Sequence, residues 1–112
     1  MELYIDENNI SVKREDNPSV KELCELAKNT LTISMHEYGG FEQTGHIGKA
    51  IVRNDSVIDA VPGDIVLYQG NQISVFYNNS RYSYTRLGHI NMSNDEIDGL
   101  LNKESITFTL KS

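Results

Sequence analysis

PGDIVLYQGNQISVFYNNSRYSYTRLGHI, residues 62–90, is the stretch whose reading decides the fold. Pro62-Gly63-Asp64 reads as a turn, Ile65–Tyr68 as a strand and Gln69–Asn71 as a tight glycine-containing turn. Ile73–Tyr77 is the next strand, Asn78-Asn79-Ser80 the next turn and Arg81–Leu87 the strand after it. The pattern predicts three consecutive antiparallel strands in a meander. From Ile65 to Ile90 there is no Asp or Glu, although the chain holds 16 acidic residues. Side chains alternate along a strand, so Tyr82, Tyr84 and Arg86 share one face, and Arg81, Ser83, Thr85 and Leu87 the other. Facing inward, Arg86 needs a partner or a ligand, with Glu37 and Glu42 as candidate carboxylates. Facing outward, the tyrosines form an aromatic strip with Arg86 at its end. Both orientations suit recognition, because Tyr and Arg are favoured in binding hot spots. The plainer alternative is tyrosines packed in a barrel wall and an arginine paired structurally.

The flanking segments extend this pattern. Upstream, Leu31, Ile33 and Met35 alternate with Thr32, Ser34 and His36, a strand with His36 on its polar face. Before it, Val20, Leu23, Cys24 and Ala27 lie at helical spacing in NPSVKELCELAKNT, with Ser19 and Glu22 as a capping box and Pro18 near the first turn. That predicts one amphipathic helix of about three turns. Residues 2–5 and 10–14 read as an N-terminal hairpin turning at Glu7-Asn8-Asn9. Residues 46–61 read as extended chain broken by a turn at Arg53-Asn54-Asp55-Ser56. Downstream, Ser93-Asn94-Asp95-Glu96 offers a capping box ahead of Ile97, Leu100 and Leu101, a short helix. Ile106, Phe108 and Leu110 then alternate in a closing strand. The expected fold is mainly β: one domain over residues 1–112, a small closed barrel with a helix near the N-terminus and a short helix before the last strand. Closure leaves neither terminal strand as an exposed edge.

The chain has 112 residues, 38% of them hydrophobic and 23% charged, values of a folded globular domain rather than a disordered chain. A net charge of −6 argues against nucleic acid, whose phosphates it would repel, and against an anionic membrane surface. Cys24 is the only cysteine, which excludes an intrachain disulfide, and it reads as a small core residue. The acidic MELYIDENN lacks the apolar run of a signal peptide, so the expected location is cytoplasmic.

SMHEYGGFEQTGH, residues 34–46, concentrates the residues with most chemical potential. His36-Glu37 opens like the zinc motif H-E-x-x-H, but Gly39-Gly40 replace its end and would damage the helix it needs. The glycines lack P-loop spacing, and two glutamates would repel a phosphate. No serine sits in a G-x-S-x-G elbow. The segment therefore reads as a loop at the barrel mouth, hinged at Gly39-Gly40, with Phe41 as a plug or with Glu37, Tyr38, Phe41 and Glu42 as a pocket wall. Asp64 reads as a turn residue accepting backbone amides, and His89 as a histidine with no base or nucleophile beside it.

LTISMHEYGGFEQTG followed by residues 62–90 resembles the bacterial and archaeal cyclophilin-like domain proteins, the resemblance running over nearly the whole chain. Gly63-Asp64-Ile65-Val66-Leu67-Tyr68 and Ser83-Tyr84-Thr85-Arg86-Leu87-Gly88 carry it most specifically. It implies a compact cyclophilin-type barrel with flanking helices. The F-H-R-x4-F-x2-Q-G-G-D motif of prolyl-isomerising cyclophilins is missing, so no catalytic residue carries over. Some similar proteins occur beside or fused to flavodoxin-like proteins, which implies a redox context.

The expectation is a binding module for a peptide or small molecule, with no catalytic residue, metal or cofactor assigned. Its pocket would be shaped by Met35, Glu37, Tyr38, Phe41 and Glu42, with Tyr77, Tyr84 and Arg86 nearby. One alternative is weak prolyl isomerisation, which needs only an apolar pocket and a donor to the prolyl amide, a role Arg86 could fill. The other is a partner of a flavodoxin-like redox protein.

Overall fold

Period-two burial begins at the second residue. In β1 (Glu2–Ile5) Leu3 and Ile5 are buried and Glu2 is exposed, and Asp6-Glu7 turn the chain into β2 (Asn8–Ile10). The turn comes earlier than expected: Asn8 and Asn9 pair with Ile5 and Tyr4 instead of forming it. The hairpin also breaks at Ser11. Beyond it β3 (Val12–Arg14) leaves β1 and pairs with the far end of β9 (Ser80–Ile90). The computed structural model describes residues 1–112.

Helix α1 (Pro18–Ala27) is capped by Asn17, whose side chain accepts the Val20 N–H at 2.9 Å, with Pro18 in the first turn. The expected Ser19–Glu22 box does not form. Ser19 Oγ donates to the Val52 carbonyl at 2.5 Å, and Glu22 accepts the Val52 N–H at 2.9 Å. Both side chains are used to strap an irregular segment to the helix. Val20, Leu23 and Ala27 face the core, with Cys24 half-buried beside them. Helix α2 (Asn94–Leu101) does carry its Ser93–Glu96 capping box, and it buries Ile97 and Leu101.

The remaining strands are β4 (Leu31–Tyr38), β5 (Glu42–His46), β6 (Ser56–Ala60), β7 (Asp64–Tyr68), β8 (Gln72–Phe76) and β10 (Ser105–Lys111). Their order is β2-β1-β10-β4-β5-β8-β7-β9-β3, with β6 on β9. The two ends of this path, β2 and β3, are joined only by Ser11, whose carbonyl accepts the Asn91 N–H at 3.0 Å. One short segment thus bridges both edges of the sheet, and nine strands make a nearly closed barrel. No helix is long and apolar enough to cross a membrane.

Residues 62–90 do not form a simple meander. One edge of β8 is taken by β5 from Glu42↔Phe76 to His46↔Gln72, so the chain leaving β8 crosses to the free edge of β7. Residues 34–46 are likewise a β-hairpin and not a hinged loop. Gly39 and Gly40 have φ of 67° and 77°, and the Phe41 N–H returns to the Tyr38 carbonyl at 3.3 Å. Two successive positive φ values turn the chain through Tyr38–Phe41, within a three-residue connection that leaves Tyr38 paired with Glu42.

A Cβ at Gly40 would meet nothing, whereas one at Gly39 would collide with the Phe41 ring. Gly40→Ala is therefore expected to cost about 1 kcal/mol, the backbone penalty alone, and Gly39→Ala clearly more. Urea denaturation of the two variants checks this. Equal, negligible losses would mean that the turn is a compliant hinge.

Candidate functional site

The inner and outer faces of β7 and β8 belong to two different apolar clusters. Ile65, Leu67, Ile73 and Val75 join the 21-residue barrel core. Their alternating neighbours Val66 and Phe76 join Ala60 and Tyr84 in a separate cluster, against which Phe41, Ile58 and Tyr68 pack. That second cluster exists because the two halves of β9 serve different partners. Its residues Thr85–His89 pair with β7, while Ser80–Tyr84 pair with β6 from Ser56↔Tyr84 to Ala60↔Ser80. Tyr84 from β9 and Ala60 from β6 thereby cover the outer face of β7 and β8. The consecutive apolar runs Ile65-Val66-Leu67 and Val75-Phe76 are the sequence trace of strands covered on both sides.

A cleft of about 330 Å³ lies where this second layer meets the sheet. Glu42, Thr44, Tyr68 and Gln72 come from the sheet, Ser80, Arg81, Tyr82 and Tyr84 from β9, and Tyr38 and Phe41 from the hairpin. The rings are in continuous contact. Tyr38 meets Phe41 edge-on at 6.0 Å, Phe41 stacks on Phe76 at 6.2 Å, and Phe76 meets Tyr84 at 5.5 Å. Tyr68, Tyr82 and Tyr84 form a triangle with centroids 5.9 to 6.0 Å apart. Tyr82 and Tyr38 remain exposed, whereas Phe76 is fully enclosed.

Glu42 is the chemically unusual member. The residue is only 9% exposed, none of the seven ion pairs includes it, and the one donor beside its carboxylate, the Ser74 hydroxyl, also reaches Thr44 Oγ1 at 3.0 Å. Burial pushes its carboxyl up from 4.5 to about 7; the neighbouring Ser74 hydroxyl pulls the other way, and the Glu37 charge adds to the rise. Burial also raises the Tyr84 phenol, partly offset by its bond to the Ser80 hydroxyl at 3.1 Å. The guanidinium at the rim, Arg81, is occupied: its Nη1 reaches both Asp59 oxygens at 2.9 and 2.8 Å.

Of the sequence-derived pocket residues, Tyr38, Phe41, Glu42 and Tyr84 come together at this cleft. The others lie elsewhere. Met35 is fully buried in the barrel core, paired across from Ile106. Glu37 and Tyr77 meet each other away from the cleft, the Tyr77 hydroxyl donating to Glu37 at 2.7 Å, while Glu37 also accepts the Gly40 N–H at 2.5 Å. Desolvation, then the Glu37 carboxylate, pushes that phenol up to about 12. Arg86 pairs with neither glutamate: the register sets Arg86 beside Val66 and His89 beside Asp64. Asp64 therefore takes Arg86 Nη1 at 3.4 Å, His89 Nδ1 at 2.8 Å and the Val61 N–H at 3.0 Å. The expected turn role of Asp64 is present, and His89 has a carboxylate neighbour that sequence reasoning missed. Tyr68, Tyr82, Thr44, Gln72, Ser80 and Arg81 were also not anticipated as lining one cleft. No group of three or more His, Cys, Asp or Glu is arranged to hold a metal ion.

A model of the cyclophilin-like family matches residues 3–111, all but the chain's outermost residues. The chain belongs to the cyclophilin-like family. No curated protein and no solved structure matches it. In this cyclophilin-like barrel the cleft lies outside the closed wall, between the wall and the layer that β6 and β9 add to it. A separate, apolar hollow of about 170 Å³ lies between α1 and the N-terminal strands, reaching from Met1, Asn9 and Arg14 at the surface to Leu23, Ile65 and Phe108 in the core.

The burial of Glu42 makes a signed prediction. Below pH 4.5 the carboxyl is neutral in both folded and unfolded chains. Between 4.5 and about 7 the unfolded chain ionises while the fold retains the proton, so stability falls as pH rises and levels off above the folded value. The loss from this group is roughly 3 kcal/mol. Glu42→Gln abolishes that component, so its stability advantage over wild type should grow by about 3 kcal/mol between pH 4 and pH 8. Parallel pH profiles for the two proteins in urea denaturation would contradict the burial.

Proposed function

We propose that this protein is a binding module and that its cleft takes a small molecule or a short peptide segment. The observation that carries the reading is the convergence of Tyr38, Phe41, Tyr68, Tyr82, Tyr84 and the unpaired Glu42 on one concave surface. Its volume of about 330 Å³ falls in the lower range of ligand sites, roughly 300 to 1,000 Å³. Mostly aromatic walls with a few polar groups are the composition such sites use. An exposed tyrosine backed by buried rings also provides contact area at small entropic cost, since the supporting rings already fix its surroundings.

Prolyl isomerisation on the same surface is the competing reading, and the positions of the donors weigh against it. Arg86 is engaged by Asp64 outside the cleft, and Arg81 at the rim is held by Asp59. Arg86 thus lies away from the cleft, and Arg81 is oriented toward Asp59 rather than toward the enclosed end of the cleft where a prolyl amide would sit. His89, for its part, hydrogen-bonds only Asp64, with no hydroxyl or thiol attached that it could activate.

Fragment screening by amide and aromatic NMR shifts tests the proposal. Hits should perturb Glu42, Thr44, Tyr68, Tyr82 and Tyr84 together. Tyr82 is 55% exposed, so Tyr82→Ala should leave the melting temperature nearly unchanged while weakening those hits about tenfold, the worth of one aromatic contact. Hits that cluster on another surface, or that ignore Tyr82→Ala, would remove the cleft from consideration.

A further inference from the structure

We infer that the cleft is selective for a protonated alkylamine, with Glu42 as its counter-ion and the tyrosine rings as its walls. The inference rests on the reading of the cleft as a binding site and adds the chemistry of the ligand. Its starting point is an imbalance. Glu42 is more than nine-tenths buried, lines the cleft, and has no cation within 4.0 Å. The one cationic side chain at the cleft, Arg81, points both of its short contacts at Asp59. A desolvated carboxylate gains most from a ligand that brings its own positive charge, because a neutral donor replaces the hydrogen bonds of displaced water but leaves the charge uncompensated.

The surroundings favour the same charge. Tyr68, Tyr82 and Tyr84 lie within 6.0 Å of one another, so a cation placed against them would contact more than one ring quadrupole. Thr44 Oγ1 donates to Gln72 Oε1 at 3.5 Å and accepts from Ser74 Oγ at 3.0 Å, which leaves each of the two oxygens a lone pair for an ammonium proton. An anion would meet Glu42 directly, in a protein whose net charge is −6. The cleft volume of about 330 Å³ admits an aliphatic stem behind the ammonium but not a bulky scaffold. A lysine side chain presented by a peptide and a free alkylamine share this chemistry.

The discriminating experiment titrates the protein with four probes, followed by NMR shifts at the cleft. Two are amines, N-acetyl-lysine N-methylamide and n-pentylamine, and two are their neutral counterparts, the ε-acetylated lysine derivative and n-pentanol. Both amines should shift Glu42, Tyr68, Tyr82 and Tyr84, and each neutral counterpart should bind at least tenfold more weakly. Glu42→Gln should remove that preference while leaving the neutral probes' weak binding unchanged. Wild-type protein at pH 5 provides the same test without a substitution, since protonating Glu42 should weaken the amines at least tenfold relative to pH 8. A tighter lysine derivative assigns the ligand to a peptide, and equal affinities assign it to free amines. If neutral probes match the amines at the cleft, the amine inference fails and the binding site stands. If no probe shifts the cleft at all, both fail.

Discussion

Strand β9 is eleven residues long, and the barrel wall uses only its second half. The first half leaves the wall, takes β6 as a partner and lies over the outer surface of β7 and β8. Most of the molecule depends on that division. The Thr85–Ile90 half provides an edge for β7 on one side and for β3 on the other, and β3 is what brings the N-terminal segment around to close the barrel. The Ser80–Tyr84 half carries Tyr82 and Tyr84 on its sheet-facing side, and burying Tyr84 on Phe76 and Val66 compensates for opening the strand away from the wall. A barrel strand normally has one apolar face; β7 and β8 have two because β9 supplies the second cover.

Covering an outer face also buries whatever polar residues stand on it. Adjacent residues of β5 show two outcomes. Gln43 points into the barrel, fully buried, and its amide nitrogen donates to the carbonyls of Leu101 at 3.0 Å and Lys103 at 2.6 Å. That side chain completes the end of α2, where carbonyls lack helical partners, and its own Oε1 is left without one. Glu42 points the other way, under the second layer, and caps no element. With no ion pair, and with burial raising its carboxyl, it is the residue on which the proposed ligand site rests.

The sequence disclosed local features well and non-local ones poorly. Ser93 and Glu96 predict their helix start because both partners of the box are three residues apart. Ser19 and Glu22 show the same spacing, yet Val52, thirty residues downstream, claims them both and leaves the cap to Asn17. The three strands of residues 62–90 were legible from the turns that bound them; their order was not, because it depends on β5 having already taken one edge of β8. Barrel architecture and the two helices followed from patterning, and family resemblance supplied the type of barrel. At the site, Tyr38, Phe41, Glu42 and Tyr84 were within reach of sequence reasoning. Alternation itself separates Glu37 from Tyr38 and Glu42, since residues one apart on a strand face opposite sides. Tyr68 and Tyr82 needed the second layer, which only the double-sided apolar runs foreshadow.

Whether Glu42 truly lies desolvated and unpaired beneath β6 and β9 is tested most directly by carboxyl-detected 13C NMR of its side chain across the pH range. A cleft built as described gives Glu42 a midpoint near 7 in the ligand-free protein. A midpoint at the ordinary glutamate value of about 4.5 would mean that solvent or a cation already reaches the carboxylate, and the second layer would then not enclose a site.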